Sequence, residues 1–239
     1  MKQQSFIFYY YSQGILLIIL ENLHTFIPSL IVKAILMPSL IIFYHSHIKG
    51  NYNLLHRLVM AGLGFSWLGD ISLQFANEEQ GFLLSANNMF ILGLSAFLIT
   101  QVFYIIAFSL PGGKNTVLTS RIYQTILVIA YGFVLIWYLY YSLGDMKFPV
   151  ILYAGIILLM LLSALNRYGK VNGVSYMLVV IGALFFVISD SIIAINRFHM
   201  KFDFAKTLIM ITYITAQYLI IMGCIRQDIL IVKNTNRAD

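Results

Sequence analysis

The chain has 239 residues, 60% of them hydrophobic and 10% charged, with a mean hydropathy of +0.86. Soluble domains carry about 25% charged residues, so a soluble protein is excluded and a polytopic membrane protein is expected. In such a chain the net charge of +6 reports orientation before any affinity for nucleic acid, and no nucleic-acid partner is expected.

A helix needs about 20 mostly apolar residues to cross a bilayer. Eight such stretches follow in chain order, at about 5–22, 27–45, 55–76, 88–110, 120–142, 149–166, 173–195 and 204–231. Lys2 precedes the first, but no small-x-small cleavage site follows it, so that stretch is expected to stay as a helix. Only ENLHTF separates the first two, and the sixth is short. Loops are brief, and the alternating pattern of a barrel is absent. Helices satisfy their own backbone groups in lipid. The expected fold is therefore an all-α integral membrane protein, a single transmembrane domain over 1–239 with eight transmembrane helices. The lone cysteine, Cys224, lies in an apolar run, which excludes an internal disulfide.

Eight spans put both termini on one side. That side carries ten basic residues: Lys2, Lys49, Arg57, Lys114, Arg121, Arg167, Lys170, Arg226, Lys233 and Arg237. The other carries four, Lys147, Arg197, Lys201 and Lys206, with the loop acids Glu21, Glu78, Glu79, Asp145 and Asp203. Positive charge marks the cytoplasmic side, so both termini are expected in the cytoplasm.

Two acids sit inside spans. Asp70 lies in LVMAGLGFSWLGDISLQF (58–75) and Asp190 in VVIGALFFVISDSIIAINRF (179–198). An ionisable side chain in hydrocarbon costs several kcal/mol, about 3 by the lower estimates, and by default marks a function. Each acid is about three quarters of the way along an outward-running span, and Lys33 is near the outer end of span two. Three costly residues at one depth point to a shared polar pocket in the outer half.

The acids are also spaced as copies. Adding 120 carries Asp70 to Asp190, Gly62 to Gly182, Phe65 to Phe185, Gly69 to Ser189 and Lys33 to Tyr153; adding 116 carries Gln101 to Gln217. Two parallel four-helix repeats, about 1–115 and 116–239, are expected, related by an axis along the membrane normal. The two acids would face each other across it.

As a functional pair, Asp70 and Asp190 supply one acid and one base, the arrangement hydrolytic sites use. The plainer alternative is a structural hydrogen bond, or a pair with Lys33. Lys33 itself would hold a lipid phosphate or snorkel to the interface. Tyr104, Tyr153, Asn196, Tyr213 and Gln217, with Gln101 and Ser189, are polar groups in or at the ends of spans. Each alone reads as helix–helix glue. Tyr153 and Tyr213 gain weight from their outer-side position, and Tyr213 and Gln217 share a helix face at i, i+4. Gly62, Gly64 and Gly69 allow close helix approach. His45, His47 and His56 cluster near a loop without carboxylates at their depth, so no metal is expected. The phosphate-loop, serine-hydrolase and zinc-protease motifs are absent from the sequence, and no cofactor is expected.

At these residues the chain resembles the YhhN family of bacterial membrane proteins, whose animal relatives are lysoplasmalogenases. The resemblance rests on GLGFSWLGDISL (62–73), LGLSAFLITQVFYIIAF (92–108), LYAGIILLMLLSA (152–164), GALFFVISDSIIAINRF (182–198) and ITYITAQYLIIMG (211–223). Two positions depart from the family pattern: Ala34 follows Lys33 where proline is common, and Gln101 stands where histidine is frequent. The resemblance implies a protein of the bacterial inner membrane that hydrolyses the vinyl-ether bond of a lysoplasmalogen. The products would be a fatty aldehyde and a glycerophospho-ethanolamine or -choline. Protonating the β-carbon gives an oxocarbenium ion, water adds, and the hemiacetal collapses. That chemistry needs one carboxylic acid and one carboxylate, which Asp70 and Asp190 supply in an unassigned order. Its partners would be a lysolipid substrate and membrane lipids. A transporter or proton-coupled carrier uses intramembrane acids and parallel repeats equally well, and a non-catalytic lipid-binding protein is the third alternative.

Overall fold

A computed structural model describes residues 3–48, 52–76, 85–111 and 121–235, with side chains as far as 227. Lys2, Lys49, Glu78, Glu79, Lys114 and Arg237, and the side chain of Lys233, lie outside the described residues. Among the described residues there are eight long helices and no strand. They are α1 (Gln3–Asn22), α2 (Phe26–His47), α3 (Leu54–Ala76), α4 (Ala86–Ser109), α5 (Ile122–Leu139), α6 (Lys147–Leu165), α7 (Gly173–Phe198) and α8 (Ala205–Thr235). Two short 3-10 turns, Tyr140–Ser142 and Gly144–Met146, join α5 to α6.

Seven of these helices, α2 to α8, are long and apolar enough to cross a membrane. α1 has the length, but Gln3, Gln4, Ser5, Ser12, Gln13 and three tyrosines dilute its apolar residues. Of the eight expected spans, seven have a helix with the length and hydropathy of a span among the described residues, and the stretch at α1 does not. The chain divides into two compact units, Met1–Tyr104 and Ile105–Asp239.

In the first unit, His24 in the left-handed region (φ 54°) turns the chain between α1 and α2. The two helices pack with Phe6 stacked on Phe43, ring centroids 3.8 Å apart. Pro38 stands inside α2 and has no N–H to give the carbonyl four residues back. That carbonyl belongs to Ala34, and the Trp67 indole of α3 donates to it at 3.0 Å. A neighbouring helix thus supplies the hydrogen bond that proline removes, as a membrane interior requires. α3 meets α4 through glycines. A Cβ on Gly62 would lie 2.7 Å from the Tyr104 ring, and one on Gly69 2.7 Å from Phe97. Thr100 Oγ1 donates to the Gly62 carbonyl at 3.0 Å. Small residues let helices approach where lipid gives no hydrophobic drive.

The second unit repeats the device. α7 starts at an Asn172 cap, whose side chain accepts the Ser175 N–H at 2.8 Å. A Cβ on Gly182 would lie 2.9 Å from the Ala216 carbonyl and 2.9 Å from Ile220 Cγ1. One on Gly223 would lie 3.1 Å from the Ser175 carbonyl. The positions correspond: 62 + 120 is 182, while 100 + 116 and 104 + 116 are 216 and 220. Ser189 Oγ donates to the Ile209 carbonyl at 3.2 Å. In the first unit, a Cβ on Gly93 would lie 3.3 Å from the Gly69 carbonyl. These pairs are also related, since 69 + 120 is 189 and 93 + 116 is 209.

Arg167, counted from sequence as a loop cation, is wholly buried. One Nη donates to Ser175 Oγ and to Gln227 Oε1, both at 2.8 Å, and it draws the α6–α7 connection against α8. That connection turns at Gly169, whose φ of 74° suits a residue without Cβ.

Candidate functional site

α5, α6 and α7 of the second unit enclose a cleft of about 420 Å³, its mouth included. Its walls are mostly apolar. Gly132, Leu135, Ile136 and Leu139 come from α5, and Val150, Ala154, Ile157 and Leu158 from α6. Val187 and Ala194 come from α7. Leu139 and Val150 of these walls pack together with Leu143, with Ala194 and Phe198 beside them. Leu158 lies over Gly132, where a Cβ would sit 2.3 Å from its Cδ1.

Among the described residues, four polar side chains line this cleft: Tyr131, Tyr153, Asp190 and Ser191. Asp190 and Ser191 are consecutive on α7, so about 100° of helix rotation separates them. Asp190 is served by α6, where the Tyr153 phenol donates to its Oδ2. Ser191 is served by α5, where its Oγ lies 2.7 Å from Tyr131 Oη. Ser191 Oγ also donates to the Val187 carbonyl at 2.7 Å. Two phenols thus reach α7, one from each of the other two helices that line the cleft. A carboxyl with one oxygen held by a phenol, in an apolar slot, can deliver a proton to a neutral group and stabilise positive charge that develops beside it.

Lys33 belongs to the other unit and has a different partner from those considered in the sequence. Its Nζ lies 2.6 Å from Glu21 Oε1, both side chains nearly buried. It also donates to Gln74 Oε1 at 2.8 Å, and Gln74 donates onward to Ser29 Oγ at 2.9 Å. Glu21, placed in a loop by the sequence, is a residue of α1. Lys33 is therefore paired with Glu21 and not with an aspartate.

Asp70 is buried on α3, beside Gly69. Tyr104 is wholly buried and packs on Gly62. Tyr213 is buried with its ring edge-on to Phe186, centroids 5.7 Å apart. Gln217 is wholly buried on the same helix, α8. Asn196 Oδ1 accepts the Phe202 N–H at 3.3 Å and fastens the turn between α7 and α8. None of these five lines the cleft. Of the eight residues selected from sequence, the cleft brings together Asp190 and Tyr153. It adds Tyr131 and Ser191, which the sequence reading missed. Ser191 adjoins the acid, and Tyr131 is a lone hydroxyl in the middle of an apolar span. Those were the available signals. Among the described residues there is no group of three histidines, cysteines or acids that could hold a metal ion.

The YhhN family model matches residues 29–224. The protein named Lysoplasmalogenase TMEM86A of Bos taurus is 30% identical over 172 residues, which are 70% of this chain and 65% of that protein. The protein of the same name from Homo sapiens is 29% identical over 171 residues, with the same shares covered. The chain thus spans about two thirds of the length of the curated relatives it matches, 65%. No solved structure matches it.

Proposed function

The chain belongs to the YhhN family, and on that premise we propose that it is an intramembrane hydrolase of the vinyl-ether bond of lysoplasmalogen-type lysolipids. The observation that carries the reading is the Asp190–Tyr153 pair in the wall of an apolar cleft. The lysoplasmalogenase names of the relatives support it. The hydrocarbon chain lies along the apolar walls, and its ether-bearing carbons rest at Asp190. Tyr153 holds Oδ2, so a transferable proton has its place on Oδ1. Asp190 gives that proton to the β-carbon, the C=C electrons form the new C–H bond, and the oxocarbenium ion forms beside the carboxylate. Water adds to that cation, and the hemiacetal collapses to a fatty aldehyde and a glycerophospho-ethanolamine or -choline. Asp190, left as a carboxylate, takes back the proton that the added water loses, which restores the acid; Asp70, the other acid expected of the pair, belongs to the first unit. Neither a metal nor a cofactor has a role in this scheme.

We place Asp70 and Asp190 in two parallel four-helix repeats, each a half of an eight-span bundle with cytoplasmic termini. The recurrence of the Gly62–Thr100–Tyr104 contacts at Gly182–Ala216–Ile220 supports the repeat. The carrier reading draws on discontinuous helices, whereas α2 stays continuous through Pro38 because Trp67 completes its hydrogen bonding.

The test is aldehyde release by the purified, folded protein from a 1-alkenyl lysolipid and from its saturated 1-alkyl counterpart. Release from the alkenyl lipid alone is expected. No release from it, under conditions where the protein is folded, would overturn the reading.

A further inference from the structure

The hydroxyl hydrogens of the cleft are all spoken for. Ser191 Oγ lies 2.7 Å from the Val187 carbonyl, and a carbonyl only accepts. The serine therefore spends its one hydrogen there. The 2.7 Å contact between Ser191 Oγ and Tyr131 Oη must then be made by the Tyr131 hydrogen, so the phenol donates and the serine accepts. Tyr153 likewise gives its hydrogen to Asp190. What Tyr131 and Ser191 have left is lone pairs, in a cleft whose other lining atoms are almost all hydrocarbon.

We propose that Tyr131 and Ser191 form an acceptor-only subsite that binds the free hydroxyl of the ligand, the one on the glycerol carbon next to the ether-bearing carbon. The proposal rests on the lysolipid reading above and names the group of that substrate which the second phenol recognises. A hydroxyl on that carbon is a donor. An ester or methyl ether there is not, and would set its oxygens against the lone pairs of the subsite. The cleft also lacks a cation among its lining residues, so it takes the neutral part of the lipid, the hydrocarbon and the glycerol hydroxyl, and not the phosphate. Asp190 and Ser191 being consecutive, the acid and the subsite hold two parts of one glycerol ether, the alkenyl β-carbon and the hydroxyl-bearing glycerol carbon, with the alkenyl α-carbon, the ether oxygen and the ether-bearing glycerol carbon between them. Tyr131 is a specificity residue in this scheme and takes no part in proton transfer.

The probe is a saturated 1-O-alkyl lysophosphatidylethanolamine, which binds without being cleaved, together with its 2-deoxy and 2-O-methyl analogues. Dissociation constants are measured on the full-length protein and on Tyr131→Phe in the same detergent. One hydrogen bond is worth up to about tenfold in affinity. The parent is expected to prefer the hydroxyl ligand over the 2-deoxy one by about that factor. Tyr131→Phe should bring the two within about twofold, by weakening the first and leaving the second unchanged. Ser191→Ala, which frees the Tyr131 hydrogen to become a donor, should improve the 2-O-methyl ligand relative to the hydroxyl one. A parent that does not discriminate overturns the subsite. So does a Tyr131→Phe that loses thermal stability and keeps the discrimination, since the Tyr131–Ser191 bond would then be helix–helix glue alone. Hydroxyl discrimination without aldehyde release would sink the proposed activity and leave the subsite standing; aldehyde release without discrimination would do the reverse.

Discussion

Position 33 in the first unit and position 153 in the second differ by 120, and each side chain reaches from its helix to the next one, α2 to α3 and α6 to α7. Tyr153 reaches Asp190 itself. Lys33 reaches Gln74, one turn beyond Asp70, and gives its charge to Glu21. Positions 120 residues apart thus hold an acid at the wall of a cleft in one unit and a closed polar network in the other. The near-symmetry of the sequence hides this division. A buried ion pair with its hydrogen bonds completed is a structural device. A carboxyl with one oxygen held, in an apolar slot, is a chemical one. On this comparison the proposed proton donor lies in the second unit, and the first unit holds a closed polar network.

The largest effect should come from the chemical side. Asp190→Asn keeps the shape and the Tyr153 contact but has no proton to give. It should lower the rate of aldehyde release by about 10²- to 10⁴-fold, with thermal stability close to the parent's. An Asn variant with the parent's rate would remove Asp190 from the mechanism and the contrast with it.

The structural side should respond in the opposite sense. Lys33→Met leaves Glu21 buried without its cation and should cost about 3–5 kcal/mol of stability, read as a fall in thermal midpoint, with the KM of the folded fraction unchanged. Adding Glu21→Leu to Lys33→Met removes the stranded charge and should restore most of the loss. A raised KM at unchanged stability would instead make Lys33 a ligand for substrate.

A smaller effect separates the two glycine contacts. Gly182→Ala sets its methyl 2.9 Å from a backbone carbonyl, whereas Gly62→Ala meets only the edge of the Tyr104 ring. Overpacking costs about 1–3 kcal/mol. Gly182→Ala is expected at the upper end and Gly62→Ala at the lower, in parallel thermal melts. The reverse order would mean that the α7–α8 backbones yield more readily than a buried phenol.

The smallest effect concerns one hydrogen bond. Trp67→Phe should cost about 1–2 kcal/mol by orphaning the Ala34 carbonyl. Adding Pro38→Ala gives α2 its own N–H and should recover the loss. Equal costs in the single and double variants would show that the indole acts by packing alone.

The seven span-like helices were legible because each is a mostly apolar run between polar breaks, and Asp70 and Asp190 were legible because an acid in such a run is costly. Tyr153 was legible from its register and depth. Glu21 was not, since hydropathy ends a span at the first charge and so assigns the acid to a loop, while its helix continues to Asn22. Arg167 escaped for a related reason: a cation next to a span end reads as solvated, and only packing shows Ser175 and Gln227 gathered round it. Tyr131 and Ser191 lie on different helices, 60 residues apart, and no spacing rule joins them. Polar pairs made across helices are set by tertiary packing, and a single sequence records each member only as an isolated hydroxyl.

The most direct measurement is aldehyde formation from a 1-alkenyl lysolipid in deuterated water, by the parent and by Asp190→Asn, with the mass of the aldehyde recorded. Proton delivery to the β-carbon predicts an aldehyde carrying one deuterium at the carbon next to the carbonyl from the parent, and almost none formed by the variant. An Asp190→Asn protein that makes the same deuterated aldehyde at the parent's rate would contradict the account.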